Sequence, residues 1–417
     1  MSAVTAEPAA GWQIKGLRRR RVACSLLFLS YGTVLGAWTS RIPAVRHGLG
    51  LSDTSLSTAL TAFAAGAIAG MQSAGRLVDR YGSRQVMVPA AGLDALLLIT
   101  PAFAPNLAVL MLCLFCFGAI HGTLNVAMNA YAVEVQRDAG RPIISSFHAV
   151  YSIGGFAGAG IGGLFARGGF GAGTTFAAVC VTAAAIVTQA ARLSRVSKTT
   201  NTNVDTNSEA SAELTHDAAL NPDETSQLKA SEPTNHRSRI TGTLFLGLLA
   251  FCCLVGEGAA ADWSAVYLRD DLSTTASFAA LAYAAFSIAM TAGRLIGDRL
   301  TAALGPVLLV RCCGLVASLG LATGLLINEP IAAVIGFGCL GAGLSCIAPQ
   351  VFSTAGLRNP HRAGLAIARV ASVGFLGFVI GPVLIGAISG LVGLPWALTI
   401  PVVLVLFVAA AATALRP

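Results

Sequence analysis

The feature that most constrains this chain is a succession of apolar runs of about 20 residues, six of which, 22–40, 54–74, 107–131, 143–166, 331–352 and 395–414, contain no Asp, Glu, Lys or Arg. As a helix, a run of that length matches the roughly 30 Å hydrocarbon core of a bilayer. Inside that core every backbone N–H and C=O must be satisfied by the chain itself, which leaves helices or a closed barrel. Barrel strands alternate polar and apolar positions over about ten residues, whereas these runs are apolar all round. Composition agrees: 11% of residues are charged and 55% hydrophobic, while a soluble domain carries about 25% charge. The fold class is therefore an all-α membrane protein. The 27 basic residues are scattered between the runs and form no stripe with aromatics, so nucleic acid is not expected as a partner; the lipid bilayer is. All ten cysteines lie inside apolar runs, and Cys113-x-x-Cys116 has no second pair nearby. They read as small packing residues, with no metal or cofactor.

Hydropathy and helix breakers place spans near 22–40, 54–74, 86–104, 107–131, 143–166 and 172–192, then near 240–262, 275–296, 306–326, 331–352, 363–390 and 395–414. This predicts an N-terminal tail (1–21), a six-helix bundle (22–193), a linker (194–239) and a second six-helix bundle (240–417). The linker is rich in Thr, Asn, Ser, Glu and Asp and too poor in apolar side chains to bury a core. With the N-terminus inside the cell, 21 basic residues fall on the cytoplasmic side and 4 outside, as the positive-inside rule requires. Both termini are then expected on the cytoplasmic side. The basic segment Arg18 to Arg21 opens a first span that no cleavage signal closes, so it reads as an anchored helix.

The two halves repeat. Ala74-Gly75-Arg76-Leu77 recurs as Ala292-Gly293-Arg294-Leu295, Asp79-Arg80 as Asp298-Arg299, and Ser152-Ile153-Gly154 as Ser372-Val373-Gly374. Two parallel six-helix repeats place a central site between them near mid-membrane.

Gly75-Arg-Leu-Val-Asp79-Arg80-Tyr-Gly82-Ser-Arg84, in the turn between spans two and three, closely resembles the G-x-x-x-D-R-x-G-x-R loop of the major facilitator superfamily. Gly75 permits close helix approach, Gly82 the tight turn, and Asp79 can pair with a basic side chain or a facing helix N-terminus. The resemblance implies twelve helices in two pseudo-symmetric bundles, latched on the cytoplasmic side by Gly75, Asp79, Arg80, Gly82, Arg84 and the echo Asp298 and Arg299. Trp38-Thr-Ser-Arg41-Ile-Pro43, His121-Gly-x-x-Asn125-x-x-x-Asn129, Arg141-Pro-Ile-x-Ser-x-Phe-His148 and Glu257-x-x-x-x-Asp262-Trp263 are similar to an uncharacterised inner-membrane subgroup near the fucose-permease-like transporters. That similarity implies a proton-coupled sugar or polyol symporter. The chain departs from the fucose symporter pattern in span one, where Tyr31 to Ser40 contains no carboxylate. Gly154-x-x-x-Gly158-Ala159-x-x-Gly162 in span five resembles the antiporter motif of drug exporters, and Gly377-x-x-x-Gly381-Pro382 echoes it in span eleven. The rival reading of both is tight packing between the halves.

Ionisable groups inside spans are costly, so each is a functional candidate. Glu257, between two glycines in span seven, and His148 in span five are the candidate proton-coupling residues. His121, Asn125 and Asn129 fall on one stripe of span four; with Tyr31, Trp38 and Gln350 they are the candidate substrate-binding residues, interhelical bonding being the alternative for the stripe. Asp94 and Arg311 are expected as a buried pair near the cytoplasm, and Arg369 as a further latch residue. Glu134 is expected to pair with Arg137 or Arg141, and Asp262 with Trp263 to sit at the outer interface.

No Walker loop is present, so ATP does not drive the protein directly. The expected function is secondary active transport of a small polar solute by alternating access, energised by the proton gradient as symport, with the protein acting as a monomer and carrying out no catalysis. Proton-antiport efflux is the alternative, and a transport-inactive sensor the more distant one.

Overall fold

The computed structural model describes residues 8–194 and 232–416, all of which, in the ordered elements, are helical. The N-terminal half runs α1 (Pro8–Leu49), α2 (Asp53–Tyr81), α3 (Ser83–Leu97), α4 (Leu107–Ala139), α5 (Ile144–Arg167) and α6 (Ala172–Ser194). The C-terminal half runs α7 (Glu232–Val266), α8 (Ala276–Ile327), α9 (Pro330–Leu344), α10 (Ile347–Arg358), α11 (Ala363–Val392), α12 (Leu394–Ala397) and α13 (Thr399–Ala410). Of the expected linker, residues 195–231 lie outside the described residues, as do 1–7 of the expected tail. Residues 232–239 belong to α7 instead of the linker, and the first helix starts well before the expected span.

Among the described residues eleven stretches are long and apolar enough to cross a bilayer. One is α8, whose 52 residues would extend about 78 Å as a straight helix, far beyond a hydrocarbon core. It is two spans. Gly305 takes φ 73° and ψ 162°, a conformation that glycine adopts without strain, and Pro306 begins the next span where its missing N–H costs nothing. The ninth and tenth helices together form one crossing, interrupted at Ser345–Cys346. Twelve crossings result, as the sequence predicts.

Packing repeats between the halves. α1 packs on α5 and α6, and α2 on α4; correspondingly α7 packs on α11 and α13, and α8 on α9. The two span-five-type glycine stripes act within the halves and not between them. A Cβ at Gly154 or Gly158 would run into the backbone of α1 at Leu29 and Thr33, and one at Gly377 into the backbone of α7 at Phe251. In lipid, where apolar burial gives little net drive, such backbone proximity is what holds helices together.

The halves meet through α2–α11, α5–α8, α4–α11, α4–α10 and α5–α10. These contacts use the C-terminal parts of α2, α4 and α10, the end of the first span of α8 before Gly305, and the N-terminal parts of α5 and α11. They therefore cluster at one end of the molecule, the end bearing the α2–α3 turn.

Candidate functional site

The closed end is held by two mirrored carboxylates. Asp79, two residues before the end of α2, accepts from the backbone N–H of Gly364 (2.8 Å) and Leu365 (3.1 Å), the first turn of α11. Asp298, in α8, accepts from the N–H of Ser145 (2.8 Å) and Ser146 (3.1 Å), the first turn of α5. A helix N-terminus presents unpaired N–H groups and a partial positive charge, so each carboxylate caps a helix of the opposite half. The glycines of the motif admit this approach. A Cβ on Gly75 would come within 2.9 Å of the Ala368 Cβ and 3.0 Å of the Leu365 Cα, and one on Gly297 within 2.8 Å of the Ser145 Cβ.

The basic residues of the motif do other work. Arg84 donates to the Ser194 hydroxyl at 3.0 Å, tying α3 to α6. Arg80 lies over the Tyr81 ring at 5.3 Å, and both Arg80 and Arg299 are exposed. Gly82 adopts φ 88° in the turn. Glu134 faces Arg20 at 3.9 Å, with Arg20 also bonded to Asp138; the pairing expected with Arg137 or Arg141 is replaced by one between α1 and α4.

One layer further into the membrane, Gln136 donates to the Ser353 hydroxyl at 2.6 Å, joining α4 to α10. His148 of α5 stacks on Phe352 of α10 at 6.2 Å and meets Phe28 edge-on at 5.4 Å; its Nε2 is buried without a partner. Beside it is a residue that the sequence reading passed over. Arg294, 5% exposed, donates to the Ser152 hydroxyl at 2.7 Å, and its Nε has no partner. Its repeat counterpart Arg76 is exposed, so the shared Gly-Arg-Leu triplet masks two different environments.

Deeper again, both halves contribute polar groups. The charge of Glu257 on α7 acts on Tyr151 of α5 and Tyr283 of α8, and that of Arg294 acts on the same two tyrosines. Glu257 is half-buried and forms no ion pair among the described residues. Its neighbouring glycines pack closely, Gly256 on Leu344 and Gly258 on Pro382. Tyr151 lies 5.6 Å from Tyr31 of α1, and the Tyr31 hydroxyl accepts from the Asn125 side chain at 3.2 Å. Tyr31, Asn125, Tyr151, Glu257, Tyr283 and Arg294 thus form one polar patch shared by the two halves above the latch. Hydroxyls, an amide, a carboxylate and a guanidinium in an otherwise apolar bundle can bind a small polar solute through directional hydrogen bonds.

Other expected site residues lie elsewhere. Trp38 is 2% exposed and packs between Phe117 and Phe176 inside the N-terminal half. Gln350 donates to the Thr301 hydroxyl at 2.8 Å, an internal bond of the C-terminal half. Asn129 donates back to the Asn125 carbonyl at 2.8 Å. The expected Asp94–Arg311 pair does not form: Asp94 is bonded to His121 at 3.0 Å, and Arg311 is exposed. The stripe on α4 therefore divides, with His121 turned to α3, Asn125 to α1 and Asn129 to its own helix. Arg369 is half-buried on α11 without an ion pair among the described residues. Asp262 is exposed, and Trp263 donates from Nε1 to the Pro382 carbonyl at 3.2 Å.

Comparison with known proteins agrees with this architecture. The model of the Major Facilitator Superfamily matches residues 22–267 and 246–417. An uncharacterised MFS-type transporter of Yersinia pestis is 31% identical over 398 residues, covering 95% of each chain. Among solved structures, the transporter FucP in the outward conformation gives a TM-score of 0.74 at 18% identity, covering 97% of this chain and 100% of that one. The proton:xylose symporter XylE bound to 6-bromo-6-deoxy-D-glucose gives 0.66 at 13% identity, covering 96% and 95%. With its twelve crossings, internal repeat and mirrored latch, this chain belongs to the Major Facilitator Superfamily of membrane transporters.

Proposed function

We propose that the protein is a proton-driven symporter that moves a small polar solute, a sugar, polyol or related metabolite, by alternating access across a bacterial inner membrane, acting as a monomer. The observation that carries the reading is the shared polar patch directly above a closed, doubly capped end. A solute bound there touches both halves, and breaking the caps opens the route beneath it. The positive-inside count puts the capped end and both termini in the cytoplasm, which makes this conformation outward-facing. The fold likeness to FucP in its outward conformation, a protein described in a second structure as a fucose:proton symporter of E. coli, supports that orientation.

Glu257 is the carboxylate within reach of both solute and water, and its role is to carry a proton at the solute patch, with His148 beside Arg294 as the adjoining proton relay. The glycine stripe of span five, which suggested efflux, is used to pack α5 on α1. The test is uptake of radiolabelled fucose, xylose and myo-inositol into proteoliposomes under an imposed pH gradient, acidic outside. At least one solute accumulates, and Glu257→Gln abolishes accumulation while leaving solute exchange. Accumulation unchanged in Glu257→Gln removes that residue from coupling; proton-linked loss of preloaded solute would establish antiport instead.

A further inference from the structure

The Asp94–His121 pair has no part in the latch or the solute patch as described. Asp94 on α3 is 1% exposed and His121 on α4 3%, and Oδ1 lies 3.0 Å from Nδ1. The remaining atoms of the pair, Asp94 Oδ2 and His121 Nε2, are both buried with no partner among the described residues. The Tyr31 ring covers the imidazole, stacked at 3.9 Å and 13°, and Phe63 of α2 and Phe117 of α4 close the sides at 5.7 and 5.8 Å. The surrounding elements offer little other charge. Between Arg21 and Arg41 of α1, Asp53 and Arg76 of α2, and Leu107 and Glu134 of α4, His121 is the only Asp, Glu, Lys, Arg or His; α6 carries none before Arg192. The other titratable groups of those stretches are Tyr31 and Cys24 on α1, Cys113, Cys116 and Tyr131 on α4, and Cys180 on α6.

We propose that Asp94 and His121 form a proton-binding site, distinct from Glu257, that retains a proton while the latch end is closed; the proposal rests on reading the chain as a proton-driven transporter. In the loaded state the imidazolium donates Nδ1–H to the carboxylate and the pair is neutral. On release the Nε2–H bond breaks, its electron pair stays on Nε2, and the proton passes to water. What remains is a neutral imidazole still donating Nδ1–H to the carboxylate, with one net negative charge. That charge is costly inside an apolar bundle, so release requires water at Nε2, which Tyr31 over the imidazole face and Phe63 and Phe117 at its sides exclude in this conformation. Tyr31 belongs to α1, α1 packs on α5, and the first turn of α5 is held by Asp298 of the opposite half. The helix that carries the covering ring is therefore packed on the helix whose first turn the latch holds.

The experiment is nitrogen NMR of the purified protein in nanodiscs with ring-labelled histidine, His121 being assigned by loss of its signals in His121→Gln. Its protonation is followed from pH 5 to 9 in the wild type, Asp94→Asn, Glu257→Gln and Asp298→Asn. The site predicts that His121 is doubly protonated at the acidic end and loses Nε2–H as pH rises. That change moves in Asp94→Asn and stays in place in Glu257→Gln. Exchange of the ring proton with water speeds about fivefold in Asp298→Asn, the effect of about 1 kcal/mol on opening. A ring that is neutral throughout, or ring-proton exchange indifferent to Asp298→Asn, overturns the proposal. If no solute is transported but the ring behaves as stated, the site stands and the transport reading fails. If accumulation is gradient-driven and identical in Asp94→Asn, the transport reading stands and the site falls.

Discussion

Replacing both capping carboxylates, Asp79→Asn with Asp298→Asn, removes two charges but keeps a neutral acceptor at each helix N-terminus. Each carboxylate accepts two backbone N–H bonds. A hydrogen bond to a charged group contributes about 1.5–3 kcal/mol against about 1 for a neutral one, and a charge at a helix N-terminus contributes about 0.3–1 kcal/mol. Asp79 is largely exposed and Asp298 half-buried, so solvent screening reduces both. About 1 kcal/mol per cap is the resulting figure, or about 2 for the pair. The closed-to-open ratio should then fall roughly thirtyfold. The amides of Ser145, Ser146, Gly364 and Leu365 report this directly, because first-turn N–H groups have no partner within their own helix. In hydrogen–deuterium exchange mass spectrometry, peptides covering 144–147 and 363–366 should exchange at least tenfold faster in the double variant, and each single variant should speed chiefly its own peptide. Unchanged protection at both sites would refute the claim that these caps hold the end closed.

Two further outcomes follow from the packing. Gly75→Val places side-chain carbons where Ala368 and Leu365 already sit, so it should disfavour the closed end as the double cap variant does, read by increased labelling of an engineered cysteine at Ser353 on α10. Trp38→Ala leaves a cavity between Phe117 and Phe176; the lost packing contacts should lower stability by roughly 2–3 kcal/mol, seen as a reduced Tm, with the solute preference of the remaining transport unchanged. A changed preference would return Trp38 to the binding site.

The spans and their count were legible because each requires a long apolar run and most connections carry charge, and the latch because Gly75, Asp79 and their echoes stand in fixed spacing. Side-chain direction was harder to read. Trp38 and Gln350 are residue types that bind solutes, but the rotation of their helices, set by packing, turns them into the interior of their own halves. Arg294 was obscured by its repeat partner: Arg76 and Arg294 share a local sequence, and only the meeting of α8 with α5 buries one of them. Asp94 and His121 lie on consecutive antiparallel helices, and that adjacency was the available signal for their pairing. Tyr151 and Tyr283 gave no signal beyond residue type, because their role arises from the meeting of α5 and α8 beside Glu257 of α7.

Distance measurement at both ends of the molecule most directly tests whether the halves rock about a central patch. Spin labels at Arg137 and Arg358 report the capped end, and labels at Ser52 and Asp270 the opposite end, in a cysteine-depleted background. In double electron–electron resonance, the Asp79→Asn, Asp298→Asn variant should lengthen the first distance and shorten the second relative to the parent. Both distances moving in the same sense, or neither moving, would contradict alternating access.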